Sequence, residues 1–169
     1  MRLRAPRIEP VSDDTLAPGA RDALATLPEF ARGFNVFRTL AQDGEVLGAF
    51  LAWGNYVLSG ITSLTARQRE LAILRTGYLY GAGYEWAQHS VIGLRCGISE
   101  AEIAAIKAGP DAPGWAPLDA AILRAADELV GDHHLSDATW AALAPLGDRG
   151  RMDLVFTAGQ YTQVSMLLN

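Results

Sequence analysis

Along most of this chain apolar positions recur at intervals of three and four, the spacing that gathers side chains onto one face of an α-helix. Val46, Leu47, Phe50, Leu51, Trp53 and Leu58 make such a stripe, predicting a helix that opens at Asp43 and stops at Ser59-Gly60. Upstream, Pro18 suits the first position of a short helix ending before Pro28. Asn35 suits the cap of a second helix carrying Val36, Phe37 and Leu40. Thr65 followed three residues later by Gln68 reads as a capping box, and the helix it opens should run to about Tyr80. Gly81-Ala82-Gly83 lowers helix propensity. A helix resumes over about 84–96, with Gly97 suited to the left-handed position past its end. Ser99 and Glu102 form a second capping box, for a helix closing at Gly109-Pro110. Residues 110–117 read as a loop. A long helix follows over 118–130, a shorter one over 137–143 capped by Ser136, and a last one from about Asp148 to near the C-terminus. No segment reads as a strand, and no fixed-period repeat is visible. The expected fold is all-α. Pro6, Pro10 and Ser12-Asp13-Asp14 mark residues 1–16 as an irregular arm, and residues 17–169 are expected to form one helical domain.

Composition narrows the picture. Half of the 169 residues are hydrophobic, enough for one core. The net charge is -5 and no basic run occurs, which argues against nucleic acid as a partner. The scattered arginines are expected on solvated helix surfaces. Cys96 is the sole cysteine, so neither an internal disulfide nor a Cys-x-x-Cys pair can form, and it is expected to be a buried small hydrophobe. No stretch nears the roughly 18 apolar residues of a membrane span, and the N-terminus lacks the apolar run of a signal peptide. A soluble, cytoplasmic protein is expected.

Candidate chemistry lies between residues 64 and 109. Glu85 and His89 are four residues apart and share one helix face, continued by Ile92 and Cys96. A carboxylate beside an imidazole makes a candidate acid–base pair, because the carboxylate orients the ring and raises its basicity. The same spacing also fits an ordinary ion pair on a helix surface or a core histidine with its partner. Glu70, on the preceding helix, reads equally as a first-turn glutamate favoured by the helix dipole. If the two helices pack as an antiparallel hairpin, Glu70 approaches the Glu85–His89 face. Two carboxylates and an imidazole in an apolar setting would then have separated pKa values. One histidine and two glutamates fall short of the usual ligand set of a closed metal site, so no metal is expected. Trp53, Trp115 and Tyr161 suit core or interface positions, and His133-His134 suit the end of a helix.

The run Leu64-Thr65-x-Arg67-x-Arg69-Glu70-Leu71-Ala72-Ile73, then Tyr84-Glu85-Trp86-x-x-His89, then Gly97-Ile98-Ser99-x-x-Glu102-Ile103, resembles the carboxymuconolactone decarboxylase family. The Trp140 segment and Gly159-Gln160-Tyr161 resemble its larger members. The resemblance implies the helical fold of alkylhydroperoxidase D, built round a helix hairpin, and assembly as a homodimer, trimer or hexamer. The peroxidase branch of that family carries a glutamate, a Cys-x-x-Cys and a histidine. By spacing from His89 these fall on Glu70, on Ala82 and Glu85, and on His89. Both sulfurs are thus replaced, and neither Ala nor Glu reduces a peroxide by thiol chemistry.

What the resemblance implies is a cofactor-independent lyase or related enzyme. Glu70, Glu85 and His89 would be its catalytic residues, with Tyr84 and Trp86 flanking them as candidate substrate contacts. The substrate would be a small unsaturated lactone or related carbonyl compound, from aromatic-compound catabolism or another small-molecule pathway. His89 would donate a proton or stabilise an oxyanion, Glu85 would orient it, and Glu70 would complete the relay. Two other readings stand beside this one: a peroxiredoxin-like antioxidant protein, and a non-catalytic oligomeric binding module. Replacing His89 by Ala or Glu85 by Gln is expected to leave the fold intact.

Overall fold

The computed structural model describes residues 5–169, which form nine α-helices and three short 3-10 turns and no strand. The sequence expectation for residues 1–4 lies outside the described residues. The chain divides into two compact units, one up to Tyr56 and one over Val57–Asn169.

The first unit holds α1 (Ala20–Ala25), α2 (Asn35–Leu40) and most of α3 (Gly44–Leu58). Residues 5–16 are irregular apart from one 3-10 turn at Asp13–Thr15, but they are fastened to the α2 region. Val11 N–H donates to Arg38 O at 3.2 Å, Gln42 Nε2 donates to Glu9 O at 3.0 Å, and Arg38 pairs with Asp13 at 2.6 Å. Asp43 caps α3 as its sequence suggests, its Oδ1 accepting from the N–H groups of Glu45 and Val46. A Cβ on Gly44 would meet Pro18 O at 2.5 Å, so only glycine lets α3 begin this close to the turn before α1. Asn35 departs from expectation: it is the first helical residue, and Phe34 holds the cap position without a side-chain bond. Packing decides that entry, since the Phe34 ring sits between Phe30 and Phe37 at centroid distances of 6.2 and 6.4 Å. Pro18 likewise lies just before α1, which Gly19 introduces with a φ of 75°.

The second unit is built round α4 (Ala66–Leu79), which packs against α5 (Gly83–Arg95), α6 (Glu100–Ala108), α7 (Pro117–Gly131) and α9 (Gly147–Leu168). The short α8 (Asp137–Ala142) packs on α7. Both capping boxes form with reciprocal bonds, Thr65 with Gln68 and Ser99 with Glu102. Ser136 caps α8 through Thr139 N–H. Gly97 ends the α5 turn with a φ of 84°. The core joins Leu71, Ala72 and Leu74 of α4 to Ile106, to Ile122 and Leu123 of α7, and to Leu154 of α9, with Trp86 and Trp115 packed at its edge.

Because α4 has neighbours on so many sides, every residue from Arg69 to Gly77 is buried, the pattern of a helix enclosed all round. Three arginines expected at the surface, Arg67, Arg69 and Arg75, are drawn in with it. Arg75 is 8% exposed and donates to Asp127 through Nε and Nη2 at 2.5 and 3.0 Å, and through Nη1 to the carbonyls of Ile106 and Lys107. One guanidinium thus fastens α4, α6 and α7. Arg67, half-buried, joins Glu102, Asp119 and Gly97 O. Among the described residues no helix is long and apolar enough to cross a membrane.

Candidate active site

Residues α4 and α5 hold face to face position the site. A Cβ on Gly77 would touch Glu85 Cγ, one on Gly93 would touch Leu74 Cδ1, and Glu70 meets His89. The two helices, joined only through residues 80–82, pack on one another, and Glu70 comes to the Glu85–His89 face as the sequence left conditional. Glu85 lies in the first turn of α5, where unpaired N–H groups and the helix dipole favour a carboxylate. His89 follows one turn later.

The three residues converge. His89 Nδ1 lies 2.6 Å from Glu70 Oε2, and His89 Nε2 lies 2.8 Å from Glu85 Oε1. Glu70 is 0%, Glu85 6% and His89 6% exposed. The surface ion-pair and first-turn alternatives are thereby set aside. A fourth group, given only a packing role from sequence, joins them from α9: Tyr161 Oη lies 3.1 Å from His89 Nε2, and its ring stands edge-on to the imidazole at 4.9 Å. Its hydroxyl was not legible as a site group, because α9 lies far along the chain from α5. The only signal was a tyrosine, a buried ring with a polar tip that needs a partner.

Electrostatics fix the protonation pattern. Burial works against the charged imidazole, but hydrogen bonds and charges from Glu70 and Glu85 outweigh it, and the pKa of His89 is pushed up to about 9. At neutral pH His89 is therefore an imidazolium, donating from both nitrogens to two carboxylates. Burial, then the negative charges of Glu85 and Glu70, push the Tyr161 hydroxyl well above its ordinary value, so it remains a neutral phenol. Among the described residues no group of three His, Cys, Asp or Glu side chains is disposed to hold a metal ion.

The flanking aromatics face other neighbours. Trp86 packs against the core, edge-on to Tyr78 at 5.6 Å, with Lys107 Nζ 5.0 Å from its ring centroid. Tyr84 is half-buried, and burial followed by the Glu85 charge raises its pKa. Cys96 is partly exposed rather than buried, because it caps the end of α5. Burial and the Glu70 charge raise its thiol pKa, keeping it protonated. The burial of the group also sets an expected stability cost for His89→Ala. Removing the imidazolium would leave the Glu70 and Glu85 carboxylates unpaired in the interior, a loss of about 3–5 kcal/mol for a broken buried pair.

Comparison with known proteins places this geometry. The family model of the Carboxymuconolactone decarboxylase family matches residues 44–128, which include Glu70, Glu85 and His89. Among solved structures, an uncharacterized peroxidase-related protein from Silicibacter sp. superposes with a TM-score of 0.78 at 15% identity, covering 99% of this chain and 91% of that one. An alkylhydroperoxidase AhpD core protein from Ralstonia eutropha gives 0.72 at 21% identity, covering 96% and 90%. A protein of unknown function from Agrobacterium tumefaciens, described as an antioxidant defence protein AhpD, gives 0.65 at 19% identity, covering 83% and 90%. No curated protein sequence matches. The fold is that of the AhpD-like helical proteins, and by the match spanning half its length the chain belongs to the carboxymuconolactone decarboxylase family.

Proposed function

We propose that this protein is a cofactor-independent acid–base enzyme acting on a small unsaturated lactone or related carbonyl compound, by decarboxylation or another proton transfer to carbon. The observation that carries this reading is the imidazolium of His89, held between Glu70 and Glu85 with the Tyr161 hydroxyl on the same nitrogen as Glu85. Glu70, wholly buried on Nδ1, fixes the ring and balances its charge. The Nε2 side is the reactive one, since an acid, a carboxylate and a neutral phenol meet there. In a decarboxylation the bond to the departing carboxylate breaks and its electron pair flows into the conjugated carbonyl. The Tyr161 O–H donates to the oxygen that gains charge, and His89 delivers the proton to carbon. Glu85 then returns a proton to the ring from solvent.

The experiment is deuterium incorporation at carbon, followed by NMR in heavy water over a panel of unsaturated lactones and keto acids. Glu85→Gln is expected to fold and to lose about 100-fold or more in rate, the scale of one general acid–base group. His89→Gln, which keeps a polar side chain between the carboxylates, should lose at least as much. Wild-type rates in both variants would sink the reading and favour the non-catalytic binding module.

The names of the structural neighbours favour a second reading, a hydroperoxide-detoxifying protein. Ala82 and Glu85 stand where that chemistry would place sulfur, and Cys96 has no second cysteine with which to pair. Peroxide turnover with a thiol reductant, lost in Cys96→Ser, would establish that reading instead. Self-association belongs to the proposal too; Met152, Met166 and Leu167, exposed on α9, support it, and sedimentation velocity would count the subunits.

A further inference from the structure

Arg69 is out of keeping with the interior around it. It is 9% exposed, almost the same as Arg75, yet Arg75 makes four hydrogen bonds. No hydrogen bond joins the Arg69 guanidinium to another described residue, and its Nε is enclosed without a partner. The nearest carboxylate oxygen, Glu70 Oε1, is also enclosed and unpartnered, and lies 3.8 Å from Nε. That is about 1 Å beyond a charge-assisted hydrogen bond. The other oxygen of Glu70 holds His89. One carboxylate therefore faces His89 on one side and, across 3.8 Å, a cation with an unpartnered Nε on the other.

An enclosed guanidinium nitrogen left without a hydrogen bond is destabilising, and such groups in native interiors call for an explanation, while the terminal nitrogens of Arg69 are not enclosed in this way and stay open to a ligand. The guanidinium's planar fork of N–H donors matches a carboxylate in bidentate geometry better than any other biological anion except phosphate. Among the described residues no carboxylate takes up that fork, and the proposed acid–base site beside it would take a small carbonyl compound. We propose that Arg69 is a substrate-binding residue that grips a carboxylate of the substrate; this rests on the acid–base reading above.

The proposal also says which carboxylate. Holding a departing carboxylate against a guanidinium would stabilise the ground-state charge that decarboxylation must disperse, and would slow the reaction. The gripped carboxylate is one that survives the reaction. A substrate losing CO2 here is a dicarboxylate, and a substrate undergoing only proton transfer is a monocarboxylate.

The test compares thermal unfolding of the full chain with 4-oxopentanoate and with its methyl ester, in wild type and Arg69→Met. Ligand binding to the native state raises the Tm by an amount that grows with the logarithm of ligand concentration over Kd. The wild type is expected to be stabilised by the acid and not by the ester. Arg69→Met should weaken apparent affinity for the acid by about 10- to 100-fold, the scale of charged hydrogen bonds. Met fills much of the same volume without a charge, so the unliganded variant should melt no lower than wild type. A lower Tm without ligand, with or without loss of self-association, would give Arg69 a structural partner and overturn the proposal. So would equal stabilisation of the variant by the acid, or of wild type by acid and ester alike. Glu85→Gln and His89→Gln separate the two inferences: lost turnover with retained acid-dependent stabilisation supports both, whereas unchanged turnover in both variants removes the acid–base reading without touching the binding result.

Discussion

Tyr161 and His89 share one contact at 3.1 Å, and in the proposed mechanism they would divide the work of a neutral hydrogen-bond donor and a proton donor between them. Both are buried beside the same two carboxylates, yet the charges act oppositely on their usefulness. They keep the imidazole protonated and keep the phenol from ionising. Tyr161→Phe removes only the hydroxyl and leaves the ring packed edge-on to His89. It is expected to lower kcat by about 100-fold, as for loss of one oxyanion donor, with a small change in KM and an unchanged Tm. An unaltered kcat would return Tyr161 to the packing role its sequence suggested. Arg69 shows the limit of reading single residues. Charged side chains are exposed by default, and nothing local to Arg69-Glu70 announces that both will be enclosed.

At the scale of elements, chain punctuation was legible because it is local chemistry. The capping boxes at Thr65 and Ser99, the stop at Gly97 and the cap at Ser136 each need only a few neighbouring residues. Where a helix end depends on packing, the sequence misplaced the cap by one residue: Phe34 rather than Asn35 holds the cap position of α2. Gly109 shows a local signal carrying a tertiary duty. It ends α6 with φ 96° and ψ -165°, a region essentially restricted to glycine. A Cβ there would stand 2.9 Å from Arg75 Nη2, against the guanidinium that ties α4 to α6 and α7. Gly109→Ala is therefore expected to cost about 1–3 kcal/mol of stability. Urea unfolding would show it as a lower midpoint with unchanged slope, and an unshifted midpoint would mean that the α6 end relaxes freely.

Across the whole molecule, the site charges are coupled to stability. The folded pKa of His89, about 9, lies above the ordinary imidazole value of 6.5. A group so raised contributes stability that is fully present below about pH 6.5 and is lost as pH rises through about 9. Wild-type Tm should accordingly decline across that window, and the decline should flatten in His89→Gln. A level wild-type profile would show that the imidazole is neutral in the fold. The sequence by itself determined the all-α class, the helix order, and the residue types of the acid–base group, because hydrophobic periodicity, caps and a four-residue spacing are written within single helices. The tertiary structure alone decided that α4 is enclosed. From that follow the burial of Glu70, the closing of the gap to His89, the arrival of Tyr161 from α9, and the stranding of Arg69. Each depends on which helix lies next to which, and that is set by the packing of surfaces from distant parts of the chain rather than by any local pattern.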